Sequence, residues 1–219
     1  MKRIILIRHG ESDHHLHGLT GGWTESHLTA LGERQSHVTG ERLAELLEGV
    51  EFGLYSSDLA RAAETARIVG ERLDVTPVLD ADLREFNNGE AADITWEQAQ
   101  EIQKPPTEPL VDHVPYPGAE SWRMMNERVC RCLERVADEC ADTAVIISHT
   151  LSGMCVVHWW LRLGVEWWDT IAYDFAPCSL TLLTINVFEE RTISRLNDTR
   201  HLATAGCESD AGSMRAAGG

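Results

Sequence analysis

Ala144-Val145-Ile146-Ile147-Ser148-His149-Thr150 is the stretch on which the fold turns. Four apolar residues without a polar break read as a short strand buried on both faces, as in a parallel sheet with helices on either side. A second run of this kind, Arg3-Ile4-Ile5-Leu6-Ile7, passes into Arg8-His9-Gly10-Glu11-Ser12. Around the two, helix and strand patterns alternate. The spacing predicts helices over 31–47, 58–73, 121–140 and 152–163, with Ser57 as the N-cap of the second. Weaker strands are expected over 51–55 and 75–79, and a closing pair over 180–187 and 192–196. Thr95-Trp96-Glu97-Gln98 has the form of a capping box and should open a short helix. Prolines 105, 106, 109, 115 and 117 mark an irregular stretch. The alternation implies an α/β fold, a three-layer α/β/α sandwich with a mainly parallel central sheet. The expected organisation is one domain over 1–204, with 93–120 as a substrate-side insertion. From 205 to 219 the chain is rich in Gly, Ala and Ser and is expected to be a disordered tail.

The charge balance narrows the partners. Of 219 residues, 35 are acidic and 19 basic, a formal charge of −16. Nucleic acids and anionic membrane surfaces want basic patches, so neither is expected as a partner. No apolar run approaches the roughly 20 residues of a membrane span. Met1 to Ile7 is too short for a signal sequence and reads as a first strand. The six cysteines form no CxxC pair, which points to reduced thiols and a cytoplasmic protein.

Ligands of such folds sit beyond the carboxyl ends of the strands. There the two apolar runs deliver His9 and His149, 140 positions apart in sequence, to one crevice. A neutral imidazole beside an arginine is a good nucleophile for phosphorus, because nearby cations favour the ring with its free lone pair. The arginine fork can hold phosphate oxygens and balance transition-state charge. Either histidine alone would more often be structural; the ordered set of residues around them decides.

Arg8-His9-Gly10-Glu11-Ser12 resembles the signature of the histidine phosphatase superfamily, also called phosphoglycerate mutase-like. Further matches occur in the family's order: Gly21-Gly22-Trp23, Leu28-Thr29-Ala30-Leu31-Gly32 with Gln35, Ser56-Ser57-Asp58-Leu59-Ala60-Arg61-Ala62, Leu83-Arg84-Glu85-Phe86 with Gly89, Pro117-Gly118-Ala119-Glu120-Ser121 with Arg128, Ile147-Ser148-His149, and Asn197-Asp198-Thr199-Arg200-His201-Leu202. The resemblance implies that His9 attacks the phosphoryl group and becomes phosphohistidine. It implies that Arg8, Arg61 and His149 hold the oxygens. Glu85 would protonate the leaving alkoxide and then activate the water. His15, Ser12, Gly22 and Thr150 are expected phosphate contacts, and neither a metal nor a cofactor is needed. Three positions depart from the family: His15 stands where asparagine is usual, Thr150 where glycine is common, and Glu90-Ala91-Ala92 where a Trp-Glu-Gly run is often found.

Two other features need readings. Asp13-His14-His15-His17 carries groups that suit zinc or copper, but in no regular ligand spacing, and it overlaps the expected phosphate loop. Trp159-Trp160 and Trp167-Trp168 suit helix packing in the core; any part left exposed would suit a homodimer contact.

The expected function is hydrolysis of a small phosphorylated metabolite. Mutases resembling this fold carry a long insertion between acid and second histidine, whereas Glu85 and His149 are only 64 positions apart. Gly21-Gly22-Trp23 leans slightly the other way. The alternatives are a cofactor-dependent phosphoglycerate mutase-type phosphotransferase and a catalytically silent phospho-ligand binder. The net negative charge favours monophosphates over polyphosphates.

Overall fold

The computed structural model describes residues 1–14, 18–140 and 142–208. Its two apolar runs are adjacent strands. β1 (Arg3–Arg8) pairs in parallel with β4 (Thr143–Ser148), Ile4 opposite Ala144 and Arg8 opposite Ser148. Every residue of β4 is buried, which is why it reads as an unbroken apolar run. β2 (Phe52–Ser56) lies on the other side of β4, and the two-residue β3 (Val78–Leu79) lies beyond it. β5 (Leu180–Ile185) runs antiparallel to β1, and β6 (Arg191–Asp198) antiparallel to β5. The sheet order is β3-β2-β4-β1-β5-β6.

Alternation along the strands assigns the two faces. Ile5, Ile7, Val145 and Ile147 pack against Leu43 of α1 (Ala30–Leu46) and Ala62, Ala66 and Val69 of α2 (Ala60–Leu73). Ile4, Leu6, Ala144 and Ile146 pack against Val129, Leu133 and Val136 of α4 (Trp122–Glu139) and Cys155 and Val156 of α5 (Thr150–Leu161). The result is the expected three-layer sandwich. Each fully buried Ile or Leu contributes about 1.5–3 kcal/mol. α3 (Trp96–Glu101) starts at the predicted Thr95 capping box.

Several boundaries differ from expectation for physical reasons. α2 begins at Ala60, and its N-cap Leu59 makes no side-chain cap bond. The Ser57 hydroxyl accepts the Leu59 N–H at 3.3 Å and lies 2.9 Å from His149 Nε2. The expected strand 75–79 shrinks to two residues, because Val75 donates its N–H to Gly70 at the end of α2 and Pro77 has none to give. α5 starts at Thr150, directly after β4. The chain is still packed past residue 204. After α6 (Arg200–Thr204), Cys207 is buried with Cys178 and Leu202, and its carbonyl accepts from Gln35 Nε2 at 3.0 Å. The rest of the expected tail, 209–219, lies outside the described residues. Of the paired tryptophans, Trp160 and Trp168 are buried and Trp159 packs on the core, leaving Trp167 the exposed one.

One close approach fixes the entrance to the site. A Cβ at Gly10 would sit 2.7 Å from the Gly32 carbonyl oxygen, so the loop after β1 lies flush on the first turn of α1.

Candidate active site

The register that pairs Arg8 with Ser148 makes His9 and His149 step off neighbouring strands together. His9 N–H donates to the Ser148 carbonyl at 2.9 Å, and the two rings meet edge to face with centroids 5.0 Å apart. Both are almost fully buried.

His9 Nδ1 lies 2.7 Å from the Gly10 carbonyl oxygen. A carbonyl only accepts, so Nδ1 carries the hydrogen and Nε2 carries the lone pair. Arg61 Nε lies 3.3 Å from that Nε2. Arg61 is buried, and its other nitrogens reach the carbonyls of Gly22 (2.9 Å) and Thr24 (3.3 Å). Burial lowers its pKa to about 10. Arg8 Nη1 donates to the Phe175 carbonyl at 2.7 Å, and burial of its guanidinium lowers its pKa too. Glu85 opposes both shifts, so it is the carboxylate facing both arginines.

Glu85 is held at the N-terminus of α5. Its Oε1 accepts from the N–H groups of Phe86 (2.9 Å), Leu151 and Ser152 (3.2 Å each), and Oε2 from Leu151 at 3.1 Å. Behind it stands a clamp whose parts occur in the sequence motifs without an assigned role. Buried Arg128 donates to the carbonyls of Asp82, Arg84 and Glu85 at 2.7–2.9 Å and pairs with buried Glu120 at 2.6 Å. Glu120 in turn accepts from Asn87 N–H at 2.8 Å. Trp23 Nε1 also donates to the Glu85 carbonyl, at 2.7 Å.

The remaining expected contacts divide. Thr150, the first residue of α5, is half-buried beside His149. Gly22 has φ +98°, and a Cβ there would lie 3.0 Å from the Phe86 carbonyl oxygen; its own carbonyl orients Arg61. Ser12 is fully buried, its Oγ 3.1 Å from His14 Nδ1. His15 and His17 lie outside the described residues. His14 is a third histidine of this site: its ring centroid is 6.3 Å from that of His9, and Nδ1 lies 2.8 Å from Ser26 Oγ, which donates to Asp13. Its only sequence signal was the histidine cluster itself.

These histidines predict an acid-sensitive fold. Burial, then the charges of Arg61 and Arg8, lowers the pKa of His14 to about 4 and that of His149 well below 6.5. The unfolded chain therefore binds more protons than the folded one between pH 6.5 and about 4, and stability is lost as pH falls through that window. His158 and His201 act in the same direction and exposed His27 against it. The ligand-free protein should melt several degrees lower at pH 5.0 than at pH 7.5, by calorimetry. An unchanged Tm would contradict the assignment of neutral buried rings.

Comparison with known proteins shows the family and the fold. The family model of the histidine phosphatase superfamily (branch 1) matches residues 4–199. A probable phosphoglycerate mutase GpmB of Klebsiella pneumoniae is 31% identical over 164 residues, covering 72% of this chain and 74% of its own. Among solved structures, a protein described as mycobacterial hydrolase 1 is 25% identical with a TM-score of 0.74, over 90% of this chain and 98% of its own. A mycobacterial glucosyl-3-phosphoglycerate phosphatase shares the fold at 22% identity with a TM-score of 0.76, over 91% and 100%.

Proposed function

This chain belongs to the histidine phosphatase superfamily, and on that premise we propose that it hydrolyses a small phosphomonoester through a phosphohistidine at His9. One observation carries the reading: the Gly10 carbonyl forces the lone pair of a neutral His9 onto Nε2, beside the Arg61 guanidinium and the second histidine. A phosphoryl group bound there is attacked by Nε2 as its ester P–O bond breaks. Arg8, Arg61 and His149 take up the oxygens' charge, with Ser12, Gly22, Thr150 and His15 as further contacts. Glu85 gives a proton to the leaving oxygen, then takes one from the water that cleaves the P–N bond.

The leaving group would extend past the residues just after Glu85. Phe86 packs on Trp122 at 5.2 Å. Trp122 walls a cavity of about 410 Å³ with Trp168, Pro109 and Leu110. Pro109 and Leu110 come from the 93–120 segment, the expected substrate-side insertion. The six cysteines are all free thiols, which suits a reducing cytoplasm. No helix of the described residues is long and apolar enough to cross a membrane. Of the paired tryptophans, Trp167 is the exposed one and would suit a homodimer contact.

The relatives named as probable mutases favour a second reading, transfer to phosphoglycerate from a bisphosphate-primed enzyme. Phosphate release from a panel containing p-nitrophenyl phosphate, 3-phosphoglycerate, sugar monophosphates and inositol hexakisphosphate, with chelator present, separates the two. The expected result is metal-independent release that favours monophosphates. Isomerisation of 3-phosphoglycerate, appearing only with 2,3-bisphosphoglycerate and without hydrolysis elsewhere, would overturn the phosphatase reading.

A further inference from the structure

We propose that Ser57 fixes the tautomer of His149, so that the neutral ring presents Nδ1–H to a phosphoryl oxygen. What that hydrogen meets rests on the phosphatase reading; the tautomer itself does not.

The reason lies in a count of hydrogens. Ser57 is fully buried one residue beyond β2, its N–H spent on the Ile147 carbonyl at 3.0 Å. Its Oγ accepts the N–H of Leu59 at 3.3 Å and stands 2.9 Å from His149 Nε2. A hydroxyl has one proton and two lone pairs. Among the described residues, Nε2 is the acceptor within reach of that proton. If Nε2 carried a hydrogen instead, it would fill the second lone pair of Ser57, and the serine proton would be buried without a partner.

The other ring nitrogen agrees. His149 is 1% exposed, and Nδ1 has no hydrogen-bond partner among the described residues. Two N–H groups lie near it: that of Ser152 approaches the ring in a capping-box arrangement but makes its hydrogen bond to Glu85 Oε1 at 3.2 Å, and that of Gly153 goes to the His149 carbonyl at 3.0 Å. A lone pair at Nδ1 would face an arriving phosphate as a second acceptor. A hydrogen there makes a bond.

The protonation state makes the tautomer matter. Burial and the two arginines keep the ring neutral, and a neutral imidazole donates from one nitrogen only. The serine decides which. Ser57 is thus a positioning residue that acts through His149.

The first test reads the tautomer directly. Long-range proton–nitrogen correlation spectra of ¹⁵N-histidine-labelled, ligand-free protein at pH 7.5 should show His149 with a protonated Nδ1 and an unprotonated Nε2. The signal is assigned by its loss in His149→Asn. In Ser57→Ala the population should move toward Nε2–H, and kcat/KM should fall roughly 10–100-fold, the scale on which loss of a partner that orients an imidazole is felt at metal sites. Ser57→Thr retains the hydroxyl and should retain the wild-type tautomer. Nε2–H in the wild-type protein would overturn the proposal whether or not the variants fold. So would a folded Ser57→Ala with an unchanged tautomer. If the wild type shows Nδ1–H yet hydrolyses no phosphoester, the phosphatase reading fails and the tautomer assignment stands. Titration with inorganic phosphate then reports whether Nδ1–H shifts on binding, as the proposal expects.

Discussion

His9→Asn should lose phosphatase turnover by on the order of 10⁴-fold or more, the scale seen when a covalent nucleophile is removed from a site that otherwise stays intact. Asparagine is chosen because its amide can still donate to the Gly10 carbonyl that holds His9 Nδ1 in place. The pocket would survive while the lone pair at Nε2 is gone. Arg61 and Arg8 would still bind phosphate, so inorganic phosphate should raise the melting temperature of the variant and of the wild type alike. Rapid alkaline quench with a ³²P-labelled substrate completes the test. The wild type should yield an acid-labile, base-stable adduct, and His9→Asn none. Turnover within tenfold of wild type would remove His9 from the mechanism.

Glu85→Gln should show a loss that depends on the leaving group. An alkoxide is a poor leaving group and needs the proton, so phosphoryl transfer from an alkyl phosphate should slow by about 10²–10⁴-fold. p-Nitrophenolate departs without protonation, so its first turnover should be nearly unaffected. The second half-reaction still lacks its base, because an amide cannot take the proton from water. The variant should therefore release a burst of about one nitrophenol per site and then turn over slowly, with phosphohistidine accumulating. Equal losses for alkyl and aryl substrates in the first turnover would show that Glu85 is not the proton donor.

The two central strands were legible because nothing competes with their apolar runs. β4 is buried on every residue, and the apolar core of β1 is flanked by Arg3 and Arg8 at its two ends. The helices were legible from period and caps, Thr95 most directly. Ser57 misleads for a definite reason: a serine before a helical pattern is a good N-cap, but here its hydroxyl has a stronger claim from a residue 92 positions away. Such a contact leaves no local pattern. Gly22 was legible as a motif residue, but that its carbonyl orients Arg61, 39 positions away, left no local pattern. The clamp of Arg128 and Glu120 is visible as motif residues eight apart, yet its target is three carbonyls on another segment. His14 is hidden by its neighbours, since nothing in a run of histidines singles out the one whose ring the fold brings beside His9.

The position of β1 between β4 and β5 also bears on how the molecule is made. β1 has no sheet partner until residues 143–148 have been synthesised, and lacks its second until β5 follows. Pairings of such wide sequence separation carry a large loop-closure cost and are associated with slow folding. Until they form, Ile4, Ile5, Leu6 and Ile7 are exposed as a short apolar segment of high β-propensity, open to aggregation or to a chaperone. Because the same event carries His9 to His149, phosphate-binding capacity should appear only at the end of refolding, together with the last closure of the sheet.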